Sequence, residues 1–203
     1  MVENLNDLQI FVKRIKMEYG GRIAYRYLAD DSLIDKTFAE LAKDIYAVAS
    51  WLIKNGYSGK HIAIIGSTSY YWVTAFLGIL CSANIAVPVD KMLSSKEMLN
   101  ILVMGDVDTV FVSEEFAHLS EPIKQSNSQI TKVICFADEC FDEILRTEEV
   151  SLPNIDPEVM AGILCTSGTT GVSKGVMISQ KNLCANISDY YSLNILDKTH
   201  CEP

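Results

Sequence analysis

Apolar positions recur along this chain in two alternating periods. Over residues 5–19 they fall at Leu5, Leu8, Phe11, Val12, Ile15 and Tyr19, one face of a helix, and Gly20-Gly21 ends the run. Residues 23–28 and 33–36 flank Asp30-Asp31, which predicts a short hairpin. Thr37 and Glu40 have the spacing of a capping box. The helix they open buries Phe38, Leu41, Ala42, Ile45, Val48, Ala49 and Leu52, and Gly56 lies just past its end. From His61 the pattern alternates between short Val/Ile runs and longer helical ones. His61–Ile65, Ile85–Val89, Thr109–Val112 and 132–136 read as buried strands. Tyr70–Cys81 reads as a helix apolar nearly all round, and Ser94 with Glu97 opens another that runs to Gly105. Ser113 is placed to cap a helix carrying Phe116, Leu119 and Ile123. Within 138–157, Phe141, Ile144 and Leu145 predict one short helix before an acidic linker. Repeated β–α–β units of this kind predict an α/β fold, a mostly parallel sheet flanked by helices on both faces.

Residues 62–89 carry no charged side chain, a length sufficient to span a bilayer. Gly66-Ser67-Thr68-Ser69 and Ser82-Ala83-Asn84 cut that run into pieces too short to cross, so a buried strand–helix–strand is the better reading. The composition is globular, with 203 residues, 49% hydrophobic and 21% charged, enough chain for one large or two small domains. There is no internal repeat. The net charge is −9 and the basic residues are scattered, which argues against nucleic-acid binding. Cys81, Cys135, Cys140, Cys165, Cys184 and Cys201 show no Cys-x-x-Cys spacing, and no signal peptide opens the chain. Reduced thiols in a cytoplasmic protein are expected. His61, His118 and His200 lie far apart and match no metal-site spacing.

The chemistry concentrates in residues 164–177. Apolar runs at 160–165 and at Val176-Met177-Ile178 read as two strands, and a loop rich in glycine and hydroxyl residues joins them. Gly168 and Gly171 can adopt backbone angles closed to other residues, so successive N–H groups can turn inward around an anion. Thr166, Ser167, Thr169, Thr170 and Ser173 add short hydroxyl donors, and Lys174 adds a point charge suited to phosphate. The stretch is a candidate phosphate loop. It is not a Walker A loop, because Lys174 precedes Gly175 and no Gly-Lys-Ser/Thr triplet occurs in the chain. The Gly-x-Gly-x-x-Gly of a dinucleotide fold is also missing.

The run Thr166-Ser167-Gly168-Thr169-Thr170-Gly171-Val172-Ser173-Lys174-Gly175 resembles the phosphate loop of the adenylate-forming (AMP-binding) superfamily. That group includes acyl- and aryl-CoA synthetases and the adenylation domains of peptide synthetases. The resemblance extends over about 37–196. Thr37-Phe38-Ala39-Glu40-Leu41 is similar to the helix start that opens these domains. Residues 60–66, Trp72 and 83–91 resemble the first nucleotide-domain units, and Ile178-Ser179-Gln180-Lys181-Asn182-Leu183 resembles the next helix start. Trp72 and the ending Pro88-Val89-Asp90-Lys91 are most similar to bacterial long-chain acyl-CoA synthetases. Cys165 stands where many members carry Tyr or Phe, Gln180 where many carry His, and Ser173 where Pro is common. None of these departures removes a phosphate donor.

The resemblance implies a two-step reaction. A substrate carboxylate attacks the α-phosphate of ATP to give an acyl-adenylate and pyrophosphate, and the acyl group then passes to a thiol, usually that of coenzyme A. It implies that Thr166, Ser167, Gly168, Thr169, Thr170, Gly171 and Lys174 bind the nucleotide's phosphates. Lys174 would act catalytically on the departing pyrophosphate, and Thr166 would be a ligand of a bridging Mg2+. Family members are more than twice as long. Their Tyr-Gly-x-Thr-Glu adenine loop, ribose-holding Asp, hinge and C-terminal catalytic lysine have no counterpart in these residues. Residues 1–203 therefore read as an incomplete N-terminal AMP-binding domain, the first α/β subdomain plus the phosphate loop. As such a fragment, the chain is expected to be inactive alone and to self-associate through faces that an intact enzyme buries. An aryl-CoA ligase, a peptide-synthetase adenylation domain and a non-catalytic phosphate-binding module remain open as alternatives.

Overall fold

The computed structural model describes residues 5–29, 32–166 and 174–192. The chain opens with helix α1 (Leu8–Tyr19), hairpin strands β1 (Ile23–Ala29) and β2 (Ser32–Thr37), and helix α2 (Phe38–Lys54). Alternation follows: β3 (His61–Ile65), α3 (Tyr70–Cys81), β4 (Ile85–Val89), α4 (Ser95–Met104) and β5 (Thr109–Val112). After a 3₁₀ turn at Glu114–Leu119 come α5 (Ser120–Ser126), β6 (Lys132–Cys135), α6 (Glu139–Leu145), β7 (Met160–Thr166), β8 (Lys174–Ser179) and α7 (Gln180–Ser192).

Local side-chain chemistry starts the helices where the pattern predicts. The Thr37 hydroxyl accepts from the Glu40 N–H at 3.2 Å while the Glu40 carboxylate accepts from the Thr37 N–H at 2.8 Å, a complete capping box. Ser94 and Glu97 form a second one. Asp7 caps α1 by accepting from the Ile10 N–H at 2.9 Å. Ser113 departs from expectation. It makes no capping bond, and its segment is a 3₁₀ turn followed by α5 rather than one helix. Pro122, in the first turn of α5, is the physical reason. It has no N–H, and its ring would clash with the carbonyl four residues back if an α-helix ran through it.

The six-stranded sheet has the order β6-β5-β3-β4-β7-β8; all neighbours are parallel except β7 and β8. Side chains of β3 alternate between two cores. Ile62 and Ile64 join Leu8 and Val12 of α1, Ile45 and Leu52 of α2, Leu80 of α3, and Phe141 of α6. Ala63 and Ile65 pack on the opposite face with Met98, Ile101 and Leu102 of α4 and Ile123 of α5. Gly78 lets α3 cross close to α2, since a β-carbon there would stand 2.6 Å from Val48. The separate β1–β2 hairpin is pinned to this body by Tyr25 and Tyr27, each with its ring centroid 5.8 Å from that of Tyr70. The Tyr70 hydroxyl in turn donates to buried Asp44 at 2.6 Å. The uncharged run 62–89 is thus β3–α3–β4, and among the described residues no helix is long and apolar enough to cross a membrane. Cys81, Cys135, Cys140, Cys165 and Cys184 are free thiols.

Candidate functional site

β7 and β8 form an antiparallel ladder in which Leu164 pairs with Val176, Cys165 with Gly175, and Thr166 with Lys174. The glycine- and hydroxyl-rich stretch therefore leaves and re-enters the sheet through one directly opposed pair. Thr166 and Lys174, predicted from sequence as phosphate-loop residues, are brought together as its two posts, and Lys174 is exposed. Ser167, Gly168, Thr169, Thr170, Gly171 and Ser173 lie outside the described residues. The posts stand at the carboxyl end of β7. In a parallel sheet the carboxyl ends of β3, β4, β5 and β6 share that edge, where α/β sheets bind their ligands.

Pro88 lies on this edge. The Ile85 N–H donates to the Lys60 carbonyl at 2.8 Å, so odd-numbered amides of β4 face β3 and even-numbered ones face β7. Pro88 stands at an even position and has no N–H to give. Among the described residues the β4–β7 ladder has one paired position, Ala86–Gly162, two residues before Pro88 on the β4 side. An open recess of about 380 Å³ lies at this edge, lined on one side by Pro88, Val89, Asp90 and Lys91 and on the other by Leu164 and Cys165. Gly66, Thr68 and Trp72 close it from β3 and α3. Burial pushes the Cys165 thiol above its ordinary range.

A chain of hydrogen bonds runs along the rim of this cavity. The Lys91 ammonium donates to Ser67 Oγ at 2.8 Å, and the Ser67 hydroxyl and N–H donate to one oxygen of Glu115 at 2.8 and 3.0 Å. The Ser113 hydroxyl adds a fourth contact at 3.2 Å. The Ser67 hydroxyl first, then its N–H, the Ser113 hydroxyl and the Lys91 charge hold the Glu115 carboxyl below its usual range. Gly66 makes the arrangement possible. Its φ is +154°, and a β-carbon there would stand 2.5 Å from Ser113 Oγ and 2.7 Å from Ser113 Cβ. Lys91, Ser67 and Glu115 were not among the residues that sequence reasoning singles out for the site. Lys91 had a visible signal, being the cation just past β4; Glu115 had none, since 48 residues separate it from Ser67.

Behind the site, Ser179 and Asn182 cap α7 reciprocally: Asn182 Oδ1 accepts from the Ser179 N–H at 2.9 Å and the Ser179 hydroxyl accepts from the Asn182 N–H at 3.2 Å. Among the described residues no three His, Cys, Asp or Glu side chains gather into a cation cage.

A family model described as "AMP-binding enzyme" matches residues 12–201. A CoA ligase of Gibberella moniliformis is 31% identical over 129 residues, which is 63% of this chain and 22% of the relative. Long-chain-fatty-acid–CoA ligase FadD15 of Mycobacterium bovis is 27% identical over 182 residues, covering 81% of this chain and 30% of the relative. Among solved structures, a putative long-chain-fatty-acid CoA ligase from Rhodopseudomonas palustris shares the fold. It aligns with a TM-score of 0.78 at 20% identity, over 94% of this chain and 48% of that one. The chain thus spans less than half the length of each of these three proteins.

Proposed function

The chain belongs to the AMP-binding enzyme family, and on that premise we propose that it is the N-terminal part of an ATP-dependent acyl-CoA synthetase acting on a long-chain fatty acid. The observation that carries this reading is the Thr166–Lys174 pair, which holds a glycine- and hydroxyl-rich loop at the carboxyl edge of a parallel sheet. The substrate assignment is supported by Trp72 and by the Pro88-Val89-Asp90-Lys91 turn. In the first half-reaction a carboxylate oxygen bonds to the α-phosphorus of ATP, the bond from that phosphorus to the bridging oxygen breaks, and pyrophosphate leaves. In the second, a coenzyme A thiol attacks the acyl carbon and AMP departs.

Both reactants of the first step are anions, so the polyphosphate charge must be compensated before the carboxylate can approach. Loop N–H groups, the hydroxyls of Thr166, Ser167, Thr169 and Thr170, and the Lys174 ammonium would bind the β- and γ-phosphates and stabilise the pyrophosphate as it leaves. That is electrostatic preorganisation. Mg2+, when bound, would supply further charge neutralisation, and the Thr166 hydroxyl is the group of this chain that would hold it. The recess beside Pro88 is open to solvent and lined by both polar and apolar side chains, Asp90 and Lys91 among them. Residues 1–203 are read as an incomplete domain that requires the rest of the enzyme for adenine, ribose and acyl contacts. The cytoplasm is the proposed compartment, consistent with free thiols in the described part.

Carboxylate-dependent exchange of labelled pyrophosphate into ATP tests the reading. The whole enzyme should exchange with long-chain fatty acids, and residues 1–203 alone should not rise above background. Exchange supported only by aryl or amino acids would replace the fatty-acid assignment. Silence with every acid would favour a phosphate-binding module without catalysis.

A further inference from the structure

Strand β8 has little burial to set its register. Lys174, Gly175, Val176 and Met177 are all exposed, and register is strongly specified only where one face of a strand is buried. Its ladder with β7 already carries an irregularity between Met160 and Gly162. A slip of one residue would move Lys174 to the other face of the sheet and change the span of the phosphate loop.

The far end of β8 is held by Gln180, the first residue of α7 and only 2% exposed. Its Oε1 accepts from the Leu8 N–H at 3.1 Å, and its Nε2 donates to the Leu80 carbonyl at 3.0 Å. The Leu8 N–H is one of the helix-start donors of α1 that have no acceptor within their own helix. The Leu80 carbonyl lies in the last turn of α3, where it also takes the Ala83 N–H at 3.3 Å. A carboxamide is among the few uncharged groups that accept and donate at once, and here both functions are used. One buried side chain thus ties the β8–α7 corner to two helices whose partner residues lie 172 and 100 positions away.

Given the loop's reading as a phosphate cradle, we propose that Gln180 is a positioning residue for it. By pinning the corner to α1 and α3, Gln180 fixes the register of β8, and through β8 the face on which Lys174 stands. Three variants separate this from a general packing role. Gln180→Leu removes both bonds. Gln180→Glu keeps an acceptor for Leu8 but sets a second acceptor against the Leu80 carbonyl. Gln180→His, neutral at pH 8, again supplies one donor and one acceptor.

The experiment measures amide hydrogen exchange along the chain and the binding of inorganic pyrophosphate, both at pH 8. The Leu and Glu variants should exchange β8 amides about tenfold faster and bind pyrophosphate about tenfold more weakly, the scale of one lost buried hydrogen bond. Amides of β3 and β5 should keep their rates, and the His variant should recover both properties. Exchange that accelerates equally in all strands, β8 rates that do not change, or a His variant as impaired as the Leu one would each overturn the assignment. If the unaltered chain bound no pyrophosphate while β8 exchange responded as described, the phosphate reading would fall and the register pin would stand.

Discussion

Replacing Gly66 by alanine tests how the carboxyl edge of the sheet is built. The new β-carbon would stand 2.5 Å from Ser113 Oγ and 2.7 Å from Ser113 Cβ, well inside contact distance, with the Ser113 N–H at 3.4 Å. Ser113 cannot simply step back, because its amide donates to the Ile65 carbonyl at 2.9 Å and so belongs to the β3–β5 ladder. Overpacking of this kind costs about 1–3 kcal/mol. A φ of +154°, which an L residue rarely adopts, adds about 1–3 kcal/mol. The expected loss is therefore about 2–6 kcal/mol, against a total stability of about 5–15 kcal/mol for an ordinary domain. Urea unfolding followed by circular dichroism would measure it. The two contributions separate in a double-mutant cycle, because Ser113→Gly removes the clash and leaves the φ strain. Gly66→Ala should cost about 1–3 kcal/mol less in the Ser113→Gly background than in the native one. A loss below about 1 kcal/mol, or equal losses in both backgrounds, would show that the edge yields and that Gly66 is not required by the Ser113 contact.

In the whole enzyme, Lys174→Ala should slow adenylate formation by roughly a hundredfold or more, while thioester formation from supplied acyl-adenylate changes far less because pyrophosphate has already gone. Equal falls in both half-reactions would make Lys174 structural. Backbone and hydroxyl hydrogen bonds from Thr37 hold the Glu40 carboxyl below its usual range. A depressed folded-state pKa stabilises above the ordinary carboxylate value and ceases to do so as pH falls through the folded pKa. Hence the urea midpoint of the native chain should exceed that of Glu40→Gln at pH 7, and the gap should close toward pH 3; a gap independent of pH would refute the assignment. Leu164, Val176 and Met177 are 40, 48 and 72% exposed on the terminal hairpin of the sheet, so the chain should self-associate as its concentration rises. Light scattering that shows a monomer at all concentrations would rule this out.

What sequence could read was local. The Thr37–Glu40 and Ser94–Glu97 boxes involve residues three apart, and the strand and helix runs of 61–112 show their own periods, so each was legible to within a residue. The glycine- and hydroxyl-rich stretch stood out for the same reason, its residues being contiguous, and most of it lies outside the described residues. Ser113 misled because a serine before an apolar periodic run looks like a cap, while the deciding residue was Pro122 in the next turn. Contacts between distant segments had no local signature. The role of Pro88 depends on which of its neighbours β4 turns each amide toward, and that requires the strand order. Gln180 looked like an ordinary early-helix residue, and only the packing of α1 and α3 against the corner makes it a buried bridge.

The position of the β7–β8 hairpin, beside β4 through the Ala86–Gly162 pair, bears on how the protein is made. Strands β3 to β6 are complete by Cys135 and pair among themselves. At translation speeds of roughly 5–20 residues per second they have a few seconds together before β7 and β8 follow. During that interval β4 is a bare outer strand, the kind of surface on which nascent chains stick to one another. Pro88 interrupts its row of free donors at the one position where a foreign strand would next bond. The residue that later lines a recess at the edge of the sheet thus serves first as a guard on an unfinished one, until the β7–β8 hairpin docks beside it.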